Sequence, residues 1–308
     1  MPIYHTVGLH SVLLLPLLTG GSYHPVRAFV PADVLQTVEE QAITYIFGAP
    51  TMFARLLDVE GAAARLTSVH DAMYAGAPMD PALVRRVAAE ITPNLTHIYG
   101  NTETYNSLYY RNAGSSPGAL LPGVFHRVRI APIGGHVNVE LPPSTEGELL
   151  VDMASEEAFD GYAQPEQNAG RVDERWYRTG DVALRDDRGR IFIRGRTDEM
   201  IISGGENVYP ADVESVLAEH PGIAECAVVG VPDPTWGQLV AALVVRADPA
   251  LTEPALAEFC RSAPALDSFE RPRLLLFTDT LPINPSGKRP AAELRALVAQ
   301  LTGPLRIA

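Results

Sequence analysis

The chain has 308 residues, 46% of them hydrophobic and 20% charged, the balance of a soluble globular protein with room for two domains and a sizeable core. Its formal net charge of −13 argues against a non-specific binder of nucleic acid or anionic membrane, while leaving room for an anion held by a local basic cluster. Cys226 and Cys260 stand far apart and in no metal or redox spacing, which fits a reducing, cytoplasmic setting.

At the N-terminus, Met1-Pro2-Ile3-Tyr4-His5 runs at once into the apolar stretch Val12 to Leu18. That stretch contains Pro16, has no basic lead-in and is too short to span a membrane, so a buried helix is expected. Pro31 to Gln41 carries Val34, Leu35 and Val38 on one side, the mark of an amphipathic helix. Ile43 to Phe47 is β-branched and aromatic and reads as a buried strand ended by Gly48-Ala49-Pro50. Thr51 to Leu57 restarts a helix. Ala72 to Tyr74 is a strand that ends in Ala75-Gly76-Ala77-Pro78. Asp80 is a good N-cap with Pro81 behind it, and Leu83, Val84, Val87 and Ile91 form the apolar face that follows. Thr96 to Tyr99 is a further strand, broken by Gly100. This alternation predicts a parallel sheet covered by helices, with ligands at the carboxyl ends of the strands, where Gly76 and Gly100 fall. In Gly100-Asn101-Thr102-Glu103, a hydroxyl and a carboxylate at a strand end can hold a phosphate oxygen and its Mg²⁺, though Thr-Glu after Gly is also a common helix start.

Residues 112–146 are rich in Gly, Pro and Ser. With the β-type runs Arg127 to Ile130 and Gly147 to Val151 they predict an antiparallel subdomain. Asn112 to Gly118 lacks a following lysine and reads as a turn rather than a phosphate loop. The run from Tyr177 to Pro210 is the densest in chemistry. Asp181 follows Gly180 at an expected strand end, Asp186 to Gly189 is turn chemistry, and Arg190 to Arg194 alternates as a strand. Gly195-Arg196-Thr197-Asp198 comes next, then the pair Gly204-Gly205, where backbone can approach a ligand closely. A carboxylate and an arginine together can hold a ribose diol and a phosphate. On residues alone, an ordinary hairpin and loop fits as well.

Beyond it the topology restarts. Helices over Pro210 to Glu219, Glu253 to Ser262 and Ala291 to Leu301 join strands over Ala227 to Val231, Leu239 to Val245 and Arg273 to Phe277, giving a small α+β domain of about 110 residues. Pro285-Ser286-Gly287-Lys288 sets a lysine on a turn before the last helix. No glycine stands five residues before Gly287, so this is not a P-loop. A compact ammonium there can meet developing negative charge, against the plain alternative of a solvated lysine.

Taken in order and spacing over all 308 residues, these blocks resemble the adenylate-forming superfamily of acyl-CoA synthetases, luciferases and peptide-synthetase adenylation domains. The resemblance implies that Asp181 and Arg196 hold the AMP ribose and that Asp198 is the hinge of a C-terminal lid. Gly76, Ala77, Tyr99, Gly100 and Thr102 would line the nucleotide, with Glu103 on the metal. Asn101 stands where the family usually has Thr or Ser, and its amide is expected to replace one hydrogen bond. Lys288, Glu103 and His5 are the catalytic candidates. Gly204, Gly205, Trp236, Phe269, Arg271 and Arg273 would contact coenzyme A, Arg273 standing in place of a lysine. Tyr105-Asn106-Ser107-Leu108-Tyr109 is similar to the aryl-CoA ligase group, whose acyl pocket matches His5, Phe47, Ala75, Ile98, Gly100, Tyr105 and Asn106. For Phe47 and Ala75, plain core reads nearly as well.

The implied protein is an ATP-dependent carboxylate–CoA ligase for an aryl acid, using ATP, Mg²⁺ and CoA through an acyl-AMP. Residues 1–197 would form a partial adenylation domain, with its β subdomain from residue 112, and 198–308 the lid. The family's T-S-G-T-T-G-x-P-K-G loop, which cradles the ATP phosphates, does not occur in this sequence. The adenylating half-reaction is therefore expected to be severely weakened, with sheet edges and apolar surface left open. Met1 as a mis-assigned start, a proteolytic fragment, and one piece of a split enzyme needing an N-terminal partner chain all remain open. So do a homo-oligomer and a rival of another class, a non-catalytic binder of AMP or CoA.

Overall fold

The computed structural model describes residues 3–283 and 289–303. The chain divides into two compact units: residues 1–179 with 183–193, and residues 180–182 with 194–308. The architecture is the expected α/β sheet with an antiparallel subdomain, followed by a smaller α+β unit.

In the first unit, strands β1 (Tyr45–Gly48), β2 (Asp71–Tyr74), β3 (Leu95–Asn101), β4 (Tyr105–Tyr110) and β5 (Leu121–Pro122) form one sheet in that order. β1, β2 and β3 run parallel, and β4 turns back antiparallel on β3. Helices α1 (Pro31–Gln41), α2 (Pro50–Leu57) and α3 (Pro81–Glu90) each begin on a proline, whose missing N–H is no loss in a first turn. The Asp80 carboxylate caps α3, accepting from the amides of Ala82 (2.7 Å) and Leu83 (3.2 Å). Phe53 and Leu57 of α2, Val84 and Val87 of α3, and Tyr74 and Leu95 of the strands bury one another. The Tyr74 ring stacks on His97 at 4.5 Å, and burial pushes the His97 imidazole down to about 4, so it is neutral core.

Three expectations are corrected here. The stretch Val12 to Leu18 is helical but not buried. It forms a π-helix over Val7–Leu14 and one α-turn over Leu15–Leu18, in which Gly8 and Ser11 are the buried residues and Leu18 is 83% exposed. Apolar side chains surround this helix, and the contact face carries Ser11, whose carbonyl accepts from the Tyr45 phenol (3.4 Å). β1 is an edge strand, so Phe47 is half-buried rather than core. Asp181 lies inside the strand Trp176–Arg185 rather than at its end, and Gly100 is the next-to-last residue of β3 rather than the residue that breaks it.

The antiparallel sheet has the order β10-β9-β7-β6, with β8 on β9; its strands are β6 (Val128–Ala131), β7 (Gly147–Asp152), β8 (Val172–Asp173), β9 (Trp176–Arg185) and β10 (Ile191–Arg196). Every residue of β7 is buried, including two carboxylates. Each has a guanidinium partner, Glu148 with Arg178 (2.6 Å) and Asp152 with Arg175, as burial of charge demands.

In the second unit, β11 (Ile201–Ser203), β12 (Glu206–Val208), β13 (Ile223–Asp233), β14 (Gly237–Arg246) and β15 (Leu274–Phe277) form a sheet of order β12-β11-β14-β13, with β15 parallel to β14. Helices α4 (Pro210–Ala218) and α5 (Glu253–Ser262) cover one face through Val213, Leu217, Leu256 and Cys260. Helix α6 (Ala291–Thr302) covers the other through Leu294 and Val298. β13 and β14 read as unbroken apolar runs because both their faces are buried.

β13 is an edge strand, and side chains close its outer backbone groups. Arg289 donates to the Cys226 carbonyl (2.7 Å), Arg295 to the Gly230 carbonyl (3.1 Å), and the Glu214 carboxylate accepts from the Val228 amide (2.7 Å). Burial pushes the Glu214 carboxyl up to about 7, against the opposing pull of the Val228 amide and Arg289. A folded value above the unfolded one means stability is present at low pH and is lost as pH rises through neutrality. In urea unfolding from about pH 5 to about pH 8, wild-type stability should therefore fall, and Glu214→Gln should flatten that fall while keeping the acceptor for Val228. An unchanged slope in the variant would assign the pH dependence elsewhere. Among the described residues no helix is long and apolar enough to cross a membrane.

Candidate functional site

Parallel pairing of β2 with β3 brings their carboxyl ends to one edge of the first sheet. Ala75 is buried there, and Gly76 and Ala77 follow it into the open. Gly76 has φ +92°, a left-handed conformation that glycine adopts without strain. β3 and β4 form a hairpin whose register shifts between Tyr99 and Asn101. The hairpin folds back so tightly that a Cβ on Gly100 would lie 1.8 Å from the Tyr105 carbonyl oxygen, and Tyr105 itself has φ +55°. Asn101 holds the turn: its Oδ1 accepts from both the amide and the hydroxyl of Thr104, each at 2.8 Å. The unusual residue thus makes two bonds, both through its carbonyl oxygen. Thr102 is left exposed and Glu103 half-buried at the tip, a hydroxyl and a carboxylate side by side.

The candidate acyl-pocket residues are brought together in part. Ile98 and Ala75 are buried, while Phe47, Tyr105 and Asn106 are half-buried. Asn106 donates to the Ser11 hydroxyl (3.4 Å), and Thr6 donates to the Thr102 hydroxyl (3.5 Å). His5 is exposed; its carbonyl accepts from the Leu9 amide (2.9 Å), and its side chain has no hydrogen bond among the described residues. The histidine that meets Tyr105 is His10, edge-on at 5.3 Å, with its Nδ1 buried and without a partner. His10 carries no signal in the sequence, standing between Leu9 and Ser11 outside any motif.

Glu103 has a partner that sequence reasoning also missed. The Tyr162 phenol donates to Glu103 Oε1 at 2.7 Å across 59 residues of chain, a separation that no local pattern reveals. Among the described residues no group of three or more His, Cys, Asp or Glu is placed to hold a metal ion. A lone carboxylate is nevertheless a suitable Mg²⁺ site. That ion prefers one or two carboxylates completed by water and substrate phosphates to an all-protein cage. With Oε1 engaged by Tyr162, Oε2 is the oxygen left for a cation.

In the second unit, Arg196 lies between two carboxylates, with Nη1 3.4 Å from Asp181 and Nε 2.9 Å from Asp198. Burial lowers its pKa, but the Asp198 hydrogen bond and the Asp181 charge more than reverse this, so it is held charged. Thr197 ties the segment down, its amide (2.8 Å) and hydroxyl (3.1 Å) both donating to the Gly180 carbonyl. Gly180, at φ +74°, allows this approach: a Cβ there would meet Arg196 Nη2 at 3.0 Å.

The coenzyme A candidates divide into two groups. Gly204 lies under the Trp236 indole, where a Cβ would meet the ring at 2.8 Å, and its amide donates to the Trp236 carbonyl (2.8 Å). Arg273 lies over that indole, its guanidinium carbon 3.9 Å from the ring centroid, and Gly205 stands open with φ +92°. Trp236 is 39% exposed. Phe269 instead packs against the core of the unit, and Arg271 turns inward to donate to the Leu266 carbonyl (3.4 Å). The structure therefore joins Gly204, Trp236 and Arg273, and leaves Phe269 and Arg271 out of that cluster. Lys288 lies outside the described residues.

Residues 1–163 match the family described as "AMP-binding enzyme", and residues 212–288 its "AMP-binding enzyme C-terminal domain". The chain is 39% identical over 297 residues to a 4-chlorobenzoate–CoA ligase from Arthrobacter sp, covering 96% of this chain and 56% of the relative. It is 35% identical over 303 residues to a feruloyl-CoA synthase from Amycolatopsis sp, covering 96% of this chain and 60% of that relative. Among solved structures, ATP-bound MatB from Rhodopseudomonas palustris superposes with TM-score 0.85 at 30% identity, covering 96% of this chain and 59% of that one. The o-succinylbenzoate CoA synthetase MenE from Bacillus subtilis, in complex with an acyl-adenylate, gives 0.83 at 27% identity, with coverage of 96% and 59%. The chain thus spans somewhat over half the length of these relatives, and it belongs to the AMP-binding enzyme family.

Proposed function

We propose that this chain serves a carboxylate–CoA ligase that works through an acyl-adenylate, with an aryl acid as its substrate class. The observation that carries the reading is the β3–β4 hairpin, which closes on Gly100 and presents Thr102 and Glu103 together at the carboxyl edge of the parallel sheet. Tyr105 and Asn106 follow directly, so a flat acid would lie next to the phosphate-binding residues.

A carboxylate is a poor acyl donor, and AMP is a good leaving group. In the first half-reaction a carboxylate oxygen attacks the α-phosphorus of ATP and pyrophosphate departs. In the second, the CoA sulfur attacks the acyl carbon and AMP departs. Thr102 holds a phosphate oxygen, and Asp181 with Arg196 holds the ribose. Lys288 offsets the charge of the attacking carboxylate, and Asp198 is the hinge between the half-reactions. Gly204, Trp236 and Arg273 face the pantetheine and phosphates of CoA. Mg²⁺, when bound at Glu103, would offset phosphate charge.

Stable acyl-sulfamoyl adenosines, which mimic the adenylate, test this by calorimetry. The benzoyl compound should bind about 100-fold more tightly than AMP, as analogues of bound intermediates do, and about tenfold more tightly than an octanoyl one. Equal affinity for benzoyl and octanoyl would overturn the aryl assignment. A benzoyl compound no tighter than AMP would overturn the ligase reading.

A further inference from the structure

We infer that Tyr162 is a positioning residue for Glu103, fixing the direction in which that carboxylate meets a divalent cation; the inference rests on the ligase reading above. The Tyr162 hydroxyl donates to Oε1 at 2.7 Å, within the range of a charge-assisted bond. A carboxylate pinned at one oxygen has its plane set, and Oε2 then points in a fixed direction.

Tyr162 is itself held at three points, backbone, ring and hydroxyl. Its amide donates to Asn168 Oδ1 (2.9 Å), and its ring lies edge-on to Phe159 at 5.0 Å. Its oxygen is 3.4 Å from that of Tyr177. The preceding Gly161 has φ +116°, and a Cβ there would crowd Asn168 at 3.1 Å, so the approach to Tyr162 needs glycine. The same loop grips Glu103 a second time, because the Phe159 amide donates to the Glu103 carbonyl (2.8 Å). One loop therefore fixes both the backbone and the side chain of the cation-facing residue. Metal-binding carboxylates depend on such outer partners for affinity as well as for orientation.

Mn²⁺, substituting for Mg²⁺, gives a readout independent of turnover: free hexaaqua Mn²⁺ is counted by electron paramagnetic resonance as protein is added with ATP present. Tyr162→Phe should weaken Mn²⁺ binding about tenfold and leave the thermal midpoint without metal unchanged, while Glu103→Gln should lose the site. Tyr177→Phe, which keeps the Tyr162–Glu103 bond, should bind Mn²⁺ as the wild type does. Wild-type Mn²⁺ affinity in Tyr162→Phe, with or without a lowered midpoint, would overturn the inference. So would equal weakening in Tyr177→Phe, which would assign the effect to the aromatic cluster. Wild-type protein that takes up no Mn²⁺ with ATP would overturn this inference alone, since the ligase reading stands or falls with the benzoyl-sulfamoyl adenosine.

Discussion

Lys288→Ala slows acyl-adenylate formation by on the order of 10²–10³-fold and slows CoA transfer to a ready-made adenylate by less than about threefold. The asymmetry follows from where negative charge gathers. Adenylation drives a carboxylate anion onto a phosphate that already carries charge, and in the proposed reaction an ammonium would offset the repulsion. Transfer starts from a mixed anhydride in which the carboxylate charge is gone and the thiol meets a neutral acyl carbon, so that need falls away. Lys288 is followed at once by Arg289, which is bonded to the Cys226 carbonyl (2.7 Å) and to Glu225 (3.0 Å). Arg289 is thus tied to β13. The two steps separate cleanly in the assay. Acid-dependent AMP release from ATP reports the first, in protein competent for both half-reactions, and single-turnover transfer from benzoyl-AMP reports the second. Equal loss in both would refute the role given to Lys288.

Gly100→Ala carries the largest expected effect on the fold of the first unit. The added methyl would sit 1.8 Å from the Tyr105 carbonyl oxygen and 2.7 Å from its carbon, and both are backbone atoms. No rotamer change relieves a clash with backbone, so the hairpin has to open. Opening it breaks the two Asn101–Thr104 bonds and removes the close packing of β3 on β4. A cost on the order of 3 kcal/mol or more is expected, beyond the usual range for a small overpacked side chain. Urea unfolding measures it, and calorimetry should show lost nucleotide binding in whatever protein remains folded. Thr104→Ser is the control: it keeps the hydroxyl bonded to Asn101 and should lose far less. Wild-type stability in Gly100→Ala would show that the hairpin is not closed in solution.

The legible parts of this chain are those fixed by local chemistry. The bounds of α1 follow from Pro31 and the spacing of Leu35 and Val38, and the start of α3 from Asp80 followed by Pro81. The second unit was legible because β13 and β14 are long and apolar on both faces. What escaped depends on distant partners. Gly100 looked like a strand breaker, yet its role is to admit the Tyr105 carbonyl from the next strand. Val12 to Leu18 looked like core because apolar composition says nothing about which face finds a neighbour. Only the pair Gly204-Gly205 stood out in its stretch, because β11 and β12, which flank it, are strands of three residues each, too short to show alternation. Arg271 and Arg273 look alike in sequence, but one turns into the core and the other covers Trp236. The partner of Glu103 could not be read at all, since Tyr162 lies 59 residues away.

The most direct test supplies the purified chain with synthetic benzoyl-AMP and CoA, omits ATP, and follows the products by chromatography. Benzoyl-CoA and AMP released in equal amounts, faster than in buffer and slowed by Trp236→Ala, is the expected result. AMP bound tightly with no benzoyl-CoA formed would contradict it and leave a nucleotide-binding protein without this chemistry.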